Sequence, residues 1–150
     1  MEPSELRKPR VFVDADVLFA GAASPSTHGA SLVVLRMAEI TLIEAVTSEQ
    51  AVTEAERNLE AKVPSALPAF RLLVQRCLQV VPDPAPADLT PHQGRADEKD
   101  LPLLVTAVRE GCLWLVTFNE RHYRPGHEDV TVLQPGTFIQ QVRHLLARLN

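Results

Sequence analysis

The stretch "RVFVDADVLFAGAAS", residues 10–24, decides how the chain is read. Val11, Phe12 and Val13 form an unbroken apolar run that ends on two aspartates, Asp14 and Asp16, one residue apart. A short continuous apolar run fits a strand covered on both faces, as in a parallel sheet. Asp is also a common turn residue. Asp14 and Asp16 therefore have two readings: the end of a strand, or carboxylates held where strands end.

The rest of the chain repeats the alternation of strand and helix. "SPSTHG" (24–29) has the composition of a loop. "ASLVVLRMAEI" (30–40) reads as a helix, and "TLIEAVTS" (41–48), alternating at Leu42, Glu44 and Val46, as a short strand. "TSEQAVTEAERNLEAKV" (47–63) opens with Thr47 and Gln50 at capping-box spacing and carries Val52, Ala55, Leu59 and Val63 at helical spacing. "SALPAFRLLVQRCL" (65–78) is a further amphipathic helix, and "QVVPD" (79–83) a very short strand. "PDPAPADLTPHQG" (82–94) is irregular, because its prolines disfavour regular structure. Asp100 is placed to cap a helix that tolerates Pro102 in its first turn and ends near Gly111. "CLWLVT" (112–117) is a second strand of the kind buried on both faces, and "VTVL" (130–133) the last one. Pro135–Gly136 reads as a turn before the closing helix "TFIQQVRHLLARL" (137–149). The expectation is one α/β domain over residues 1–150, a three-layer α/β/α sandwich with a mainly parallel central sheet. Residues 1–9 are expected to form a flexible N-terminal segment.

Composition narrows the function classes. The chain has 150 residues, 45% of them hydrophobic, enough for a core and against disorder. No run of 18 or more apolar residues occurs, so no membrane helix is expected. The start, "MEPSELRKPR", is polar and lacks a signal-peptide core, which points to the cytosol. Cys77 and Cys112 lie in apolar stretches and read as reduced core residues. A net charge of −4 gives no general attraction to nucleic acid, so binding to it would need a local basic patch or metal ions.

In a parallel sheet, functional groups gather outside the carboxyl ends of the strands. Asp14 and Asp16 follow the first strand, and Thr117 and Asn119 follow "WLVT". Asp97 and Asp100 precede the helix that feeds that strand, and Glu54 flanks the apolar face of the helix after the second strand. Singly, each has a structural explanation: turn, cap or solvated helix face. Together, acids from distant parts of the chain can share one cleft only if their repulsion is offset, and bound divalent cations do that. Mg²⁺ and Mn²⁺ accept such oxygen ligands and leave room for water and substrate phosphates. No phosphate-binding glycine loop, Ser-His-Asp order or zinc spacing of the five histidines competes with this reading.

Two families share the opening pattern. "VFVDADVLF" resembles the first motif of haloacid-dehalogenase-type phosphatases, but Leu18 stands where that motif has Thr or Val. The later acidic pair of that family is also missing from "LVTFNERHY". The wider resemblance is to PIN domains, metal-dependent ribonucleases that include VapC-type toxins. It is carried by "VFVDADVL", by "SEQAVTEAERNL" with Glu54, by "DEKDLPLLVTAV" with Asp97 and Asp100, by "WLVTFNERHY", and by the closing "VTVLQPGTFI", in that order.

The resemblance implies Asp14, Glu54 and Asp100 as catalytic residues that hold Mg²⁺ or Mn²⁺, with Asp97 as a further ligand. It implies Asp16, Thr117 and Asn119 in support. Many members have an acid where Asn119 stands, and some have an Asp where His122 stands, so one metal is expected rather than two. Arg121, His122, Arg124 and His127 follow the fourth motif as phosphate contacts or as a solvated loop. The implied activity is hydrolysis of phosphodiester bonds in single-stranded RNA, with an antitoxin protein and a second copy of the chain as partners. The alternative is a catalytically impaired module of the same fold that binds RNA or protein, supported by Asn119 and His122.

Overall fold

Val11, Phe12 and Val13 are completely buried, so both faces of the first strand are covered. The computed structural model describes residues 8–23 and 29–148. The expected loop at 24–28 and most of the expected flexible N-terminal segment, residues 1–7, lie outside the described residues. The strands are β1 (Arg10–Val13), β2 (Glu44–Ser48), β3 (Leu78–Val81), β4 (Trp114–Val116) and β5 (Thr131–Leu133). They form one sheet in the order β3-β2-β1-β4-β5, every neighbouring pair parallel. In the centre, Val11 is registered with Trp114, Phe12 with Leu115 and Val13 with Val116. The two apolar runs singled out in the sequence are thus adjacent, with their carboxyl ends at the same edge.

The helices are α1 (Ala15–Ala23), α2 (Ala30–Glu39), α3 (Glu49–Lys62), α4 (Leu67–Cys77), α5 (Pro86–Leu89), α6 (Leu101–Arg109) and α7 (Pro135–Ala147). α1, α2, α3 and α4 pack on one another, while α6 packs against β2 and β4. The result is the three-layer α/β/α sandwich expected. Among the described residues, no helix is long and apolar enough to cross a membrane. Cys77 and Cys112 are free and buried, as expected of core thiols.

Four local expectations need correction. The cap of α3 is Ser48, whose Oγ accepts from the Ala51 N–H, not Thr47. Thr47 instead donates its hydroxyl to the Val13 carbonyl at 2.8 Å and ties β2 to β1. Asp100 occupies the cap position of α6, but its side chain makes no capping bond. The proline-rich stretch is not wholly irregular: it folds into α5 and a 3₁₀ turn at Thr90–His92. Pro135 does not make a turn before the last helix but begins it, at a position where a missing N–H is harmless.

Two features place the loops around the sheet edge. Gly111 closes α6 with a φ of +68°, a conformation that suits glycine. β4 and β5 are joined without an α-helix, by a segment containing the 3₁₀ turn Glu120–Tyr123. That segment is held to the loop before α6 by Asp97 N–H donating to His122 O at 2.7 Å and Gly126 N–H to Arg95 O at 2.8 Å. Gly126 has a φ of +84°, and a Cβ there would come within 2.9 Å of the Tyr123 carbonyl oxygen.

Candidate active site

The strand order reverses between β1 and β4, and an open parallel sheet forms its cleft at such a point. Asp14 is the first residue after β1, and its N–H bonds to Val116 O at 3.1 Å, so it is locked beside β4. Its carboxylate is buried and accepts three hydrogen bonds. Oδ1 accepts from Ala15 N–H at 2.6 Å; Oδ2 accepts from the Thr117 hydroxyl at 2.8 Å and the Tyr123 hydroxyl at 2.7 Å. Burial pushes the Asp14 pKa up; the three hydrogen bonds oppose this, and the charge of Glu54 reinforces it.

Asp16 stands two residues further on, at the start of α1. Its Oδ2 accepts from Phe118 N–H and from the Asn119 amide, both at 3.0 Å, with the Thr117 hydroxyl at 3.2 Å. Its Oδ1 is buried and, among the described residues, has no hydrogen-bond partner. Burial, then the charge of Asp14, pushes its pKa up to about 6.

A cavity of about 160 Å³ opens beside these two acids, and Glu54, Asp97, Asp100, Asn119 and His122 also line it. Glu54 comes from α3, Asp97 and Asp100 from the loop before α6, and Asn119 and His122 from the β4–β5 connection. All the acids singled out in the sequence therefore face one cleft. Because Asp100 does not cap its helix, its carboxylate is free to turn inward, where Oδ2 lies 3.2 Å from His122 Nδ1. Burial raises its pKa, and the charges of Asp14 and Glu54 add to the rise.

Ligand atoms of Asp97, Asp100 and His122 lie within 4.8 Å of one another, a spacing that one cation could bridge. Carboxylate oxygens crowded enough to raise each other's pKa, with a buried oxygen on Asp16 left without a donor, fit a hard divalent cation. Asp14, Glu54, Asp97 and Asp100 are the oxygen donors that could hold it, and His122 offers a nitrogen.

Three participants were not singled out for these places. Tyr123 is buried and donates to Asp14, and its own pKa is raised well above the ordinary value by burial and by that acid. Lys99 Nζ sits 3.1 Å from Glu54 Oε1, so a cation of the chain itself occupies the acidic cleft. Its pKa is raised, chiefly by the hydrogen bond to Glu54. His122, expected as a phosphate contact or as part of a solvated loop, places its Nδ1 3.2 Å from Asp100 Oδ2. An aromatic standing alone in the polar "NERHY", and a Lys inside an acidic motif, were the available signals.

Thr117 directly follows β4 with its side chain buried. It is fully enclosed and serves Asp14, Asp16 and the Asn119 N–H, which donates to its hydroxyl at 3.0 Å. Arg121 and Arg124 line a neighbouring groove of about 590 Å³. His127 lies apart, where its Nδ1 accepts from Asp129 N–H at 3.0 Å and its ring sits beside His92.

Solved structures share this fold, among them the following two. VapBC2 from Rickettsia felis, bound to a DNA fragment from its promoter, superposes with a TM-score of 0.61 and 14% identity, over 83% of this chain and 98% of that one. VapC20 from Mycobacterium tuberculosis, a toxin that cleaves the sarcin-ricin loop, superposes with a TM-score of 0.51 and 18% identity, over 70% of this chain and 86% of that one. No curated protein sequence matches the chain. The family model for the PIN domain matches residues 10–121, from the start of β1 into the β4–β5 connection. That span contains Asp14, Glu54, Asp97, Asp100 and Asn119 and sets aside the phosphatase resemblance: the chain belongs to the PIN-domain family.

Proposed function

We propose that this chain is a metal-dependent endoribonuclease that hydrolyses phosphodiester bonds in single-stranded RNA, acting as the toxin of a toxin–antitoxin pair. The observation that carries the proposal is the convergence of Asp14, Glu54, Asp97 and Asp100 at the β1/β4 edge of the sheet. Carboxylates from three separate segments are held together although like charges repel, an arrangement suited to cation binding. Mg²⁺ or Mn²⁺, when bound, supplies activation of a water and neutralisation of charge on the phosphodiester.

The chain's own groups have distinct parts. Asp14 is the fixed anchor, oriented by Ala15, Thr117 and Tyr123. Glu54 and Asp100 complete the ligand set, and Asp97 assists from the loop before α6. Asp16 holds the Phe118–Asn119 backbone and side chain in place. Arg121 and Arg124 meet substrate phosphates in the adjoining groove. An antitoxin protein covering the cleft, a homodimer and a cytoplasmic location belong to the same reading; light scattering tests the dimer.

The test is cleavage of a fluorescent single-stranded RNA with Mg²⁺ or Mn²⁺, with and without chelator. Asp14→Asn should lower the rate by more than about 100-fold, close to 2.7 kcal/mol of transition-state stabilisation, and weaken metal binding in calorimetric titration. Equal rates for parent and variant would refute the assignment of Asp14. A second reading, a PIN fold that binds without cutting, is favoured by the Asn119 amide donating to Asp16 and by Lys99 occupying Glu54. It prevails if the parent neither binds metal nor cleaves RNA.

A further inference from the structure

We propose that the groove beside the acidic cleft is a stacking subsite for one unpaired base of a single-stranded nucleic acid, with the Phe118 ring as its platform. The inference rests on the nuclease reading above for what happens next door, but the binding it describes is separable from cleavage. The groove has a volume of about 590 Å³, within the usual range for ligand sites. Phe118, Arg121 and Arg124 line it, and Asp97, Asn119 and His122 belong to both it and the acidic cleft. A strand seated in the groove therefore runs directly to the carboxylates.

Phe118 is 44% exposed although it follows the fully buried Thr117. Leaving a Phe in water is unfavourable unless something covers it. Its backbone is not loose: the Phe118 N–H is held by Asp16 Oδ2 at 3.0 Å, and the next N–H by the Thr117 hydroxyl at 3.0 Å. The ring is thus mounted on the same hydrogen-bonded frame that orients Asp14 and Asp16. Among the described residues, Arg121 and Arg124 make no ion pair, so their guanidinium groups are available. An aromatic face beside free guanidinium groups is the chemistry that binds single strands, because stacking needs an unpaired base and the cations track the backbone. Asp97 and Glu120 also line the groove, which disfavours the dense charge of a duplex.

The test is fluorescence anisotropy of the full chain in chelator, so that no cleavage occurs, with labelled oligouridine, oligothymidine and an RNA duplex of equal length. Both single strands should bind more tightly than the duplex. Phe118→Ala should weaken single-strand binding by about 5- to 100-fold, whereas Phe118→Trp should retain it and show its added emission quenched by the oligonucleotide. Arg121→Ala and Arg124→Ala should each lower the slope of log affinity against log salt by about 0.7. Unchanged melting temperature in Phe118→Ala separates lost stacking from lost folding; if that variant does not fold, Phe118→Leu replaces it. Equal affinity of parent and the Ala or Leu variant overturns the subsite and leaves the nuclease reading intact. So does duplex binding as tight as single-strand binding. Binding of none of the three oligonucleotides also overturns it. Loss of metal-dependent cleavage by the parent refutes the nuclease reading, while the stacking result in chelator still stands or falls by itself.

Discussion

Replacing Asp16 by Asn should make the metal-free protein more stable at neutral pH and flatten its stability between pH 5 and 7.5. Asp16 has a pKa of about 6 in the fold against an ordinary value of 3.8, because it is buried beside Asp14. A folded-state pKa above the unfolded one means that the native state holds the proton more tightly. The stabilisation is therefore complete below 3.8 and is lost as pH rises through about 6. Linkage over that interval gives a cost of about 3 kcal/mol for having Asp16 ionised in the fold. Between pH 7.5 and 5, about 1.4 kcal/mol of this is recovered on acidification, or about 3–6 °C in melting temperature for a chain of this size. Asp14 and Asp100 shift in the same direction and add to the trend.

Asp16→Asn removes the charge but keeps an oxygen to accept from Phe118 and Asn119. It places an amide where Oδ1 has no partner, and a buried unpaired donor costs about 1–3 kcal/mol. The expected net gain at pH 7.5 is therefore at most about 2 kcal/mol. Urea unfolding of parent and variant in chelator, from pH 5 to 7.5, measures it; the difference between the two curves cancels the histidines, which are common to both. Saturating Mn²⁺ should reverse the parent's slope, since the cation binds the ionised acids, adding about 2.7 kcal/mol at a hundredfold excess over Kd. If the variant is no more stable than the parent at pH 7.5, and the parent shows no loss of stability as pH rises, the argument from crowded, buried carboxylates is wrong.

Asn119→Asp exchanges an amide that donates to Asp16 for a like charge. The metal-free variant should melt lower than the parent at pH 7.5 and gain more from Mn²⁺ in thermal-shift titration; an equal or smaller gain would count against Asn119 as the missing acid. Lys99→Met frees Glu54 from its ammonium partner. Calorimetry should then find Mn²⁺ bound about 2- to 5-fold more tightly, the scale of one solvent-exposed ion pair; unchanged or weaker binding rules out competition between Lys99 and the cation. Tyr123→Phe deletes a buried donor to Asp14. Denaturation should show a loss of about 1–3 kcal/mol, and the pH midpoint of metal binding should move up because a bond that lowers the Asp14 pKa is gone; a midpoint that stays put would mean the hydroxyl does not tune that acid.

The central pair of strands was legible because Val11–Val13 and Leu115–Val116 are apolar on both faces, a pattern with few other uses. α1 was not legible. Its sequence, "ADVLFAGAA", is apolar and small nearly all round, so it offers no contrast between faces for a helical period to show. Two further misreadings share one cause. Pro86, Pro91 and Pro135 read as breakers in sequence, yet each sits in the first turn of a helix or 3₁₀ turn, where proline's fixed φ helps and its missing N–H is not needed. Proline reports where a helix cannot have its interior, and that statement fits a helix start as well as a break.

The candidate site divides along a different line. The acids could be found because their positions depend on local order: just after a strand, just before a helix, on the flank of an apolar stripe. The groups that manage their charge could not. Tyr123 reaches Asp14 only because a 3₁₀ turn folds back over the sheet edge, and Lys99 reaches Glu54 on α3 from the loop before α6. Without metal, those donors, the Asn119 amide and raised carboxyl pKa values share the work of containing the negative charge. A bound divalent cation would compete with all of them at once. The strength of metal binding would therefore be set by how firmly Tyr123, Lys99 and Asn119 hold the acids as much as by the number of acids. Asn119→Asp and Lys99→Met approach that balance from opposite sides, one adding a ligand charge and the other removing a competing cation, so their effects on Mn²⁺ affinity should have the same sign. Opposite signs would mean that the cleft does not bind the ion through Glu54 and the Asn119 position together.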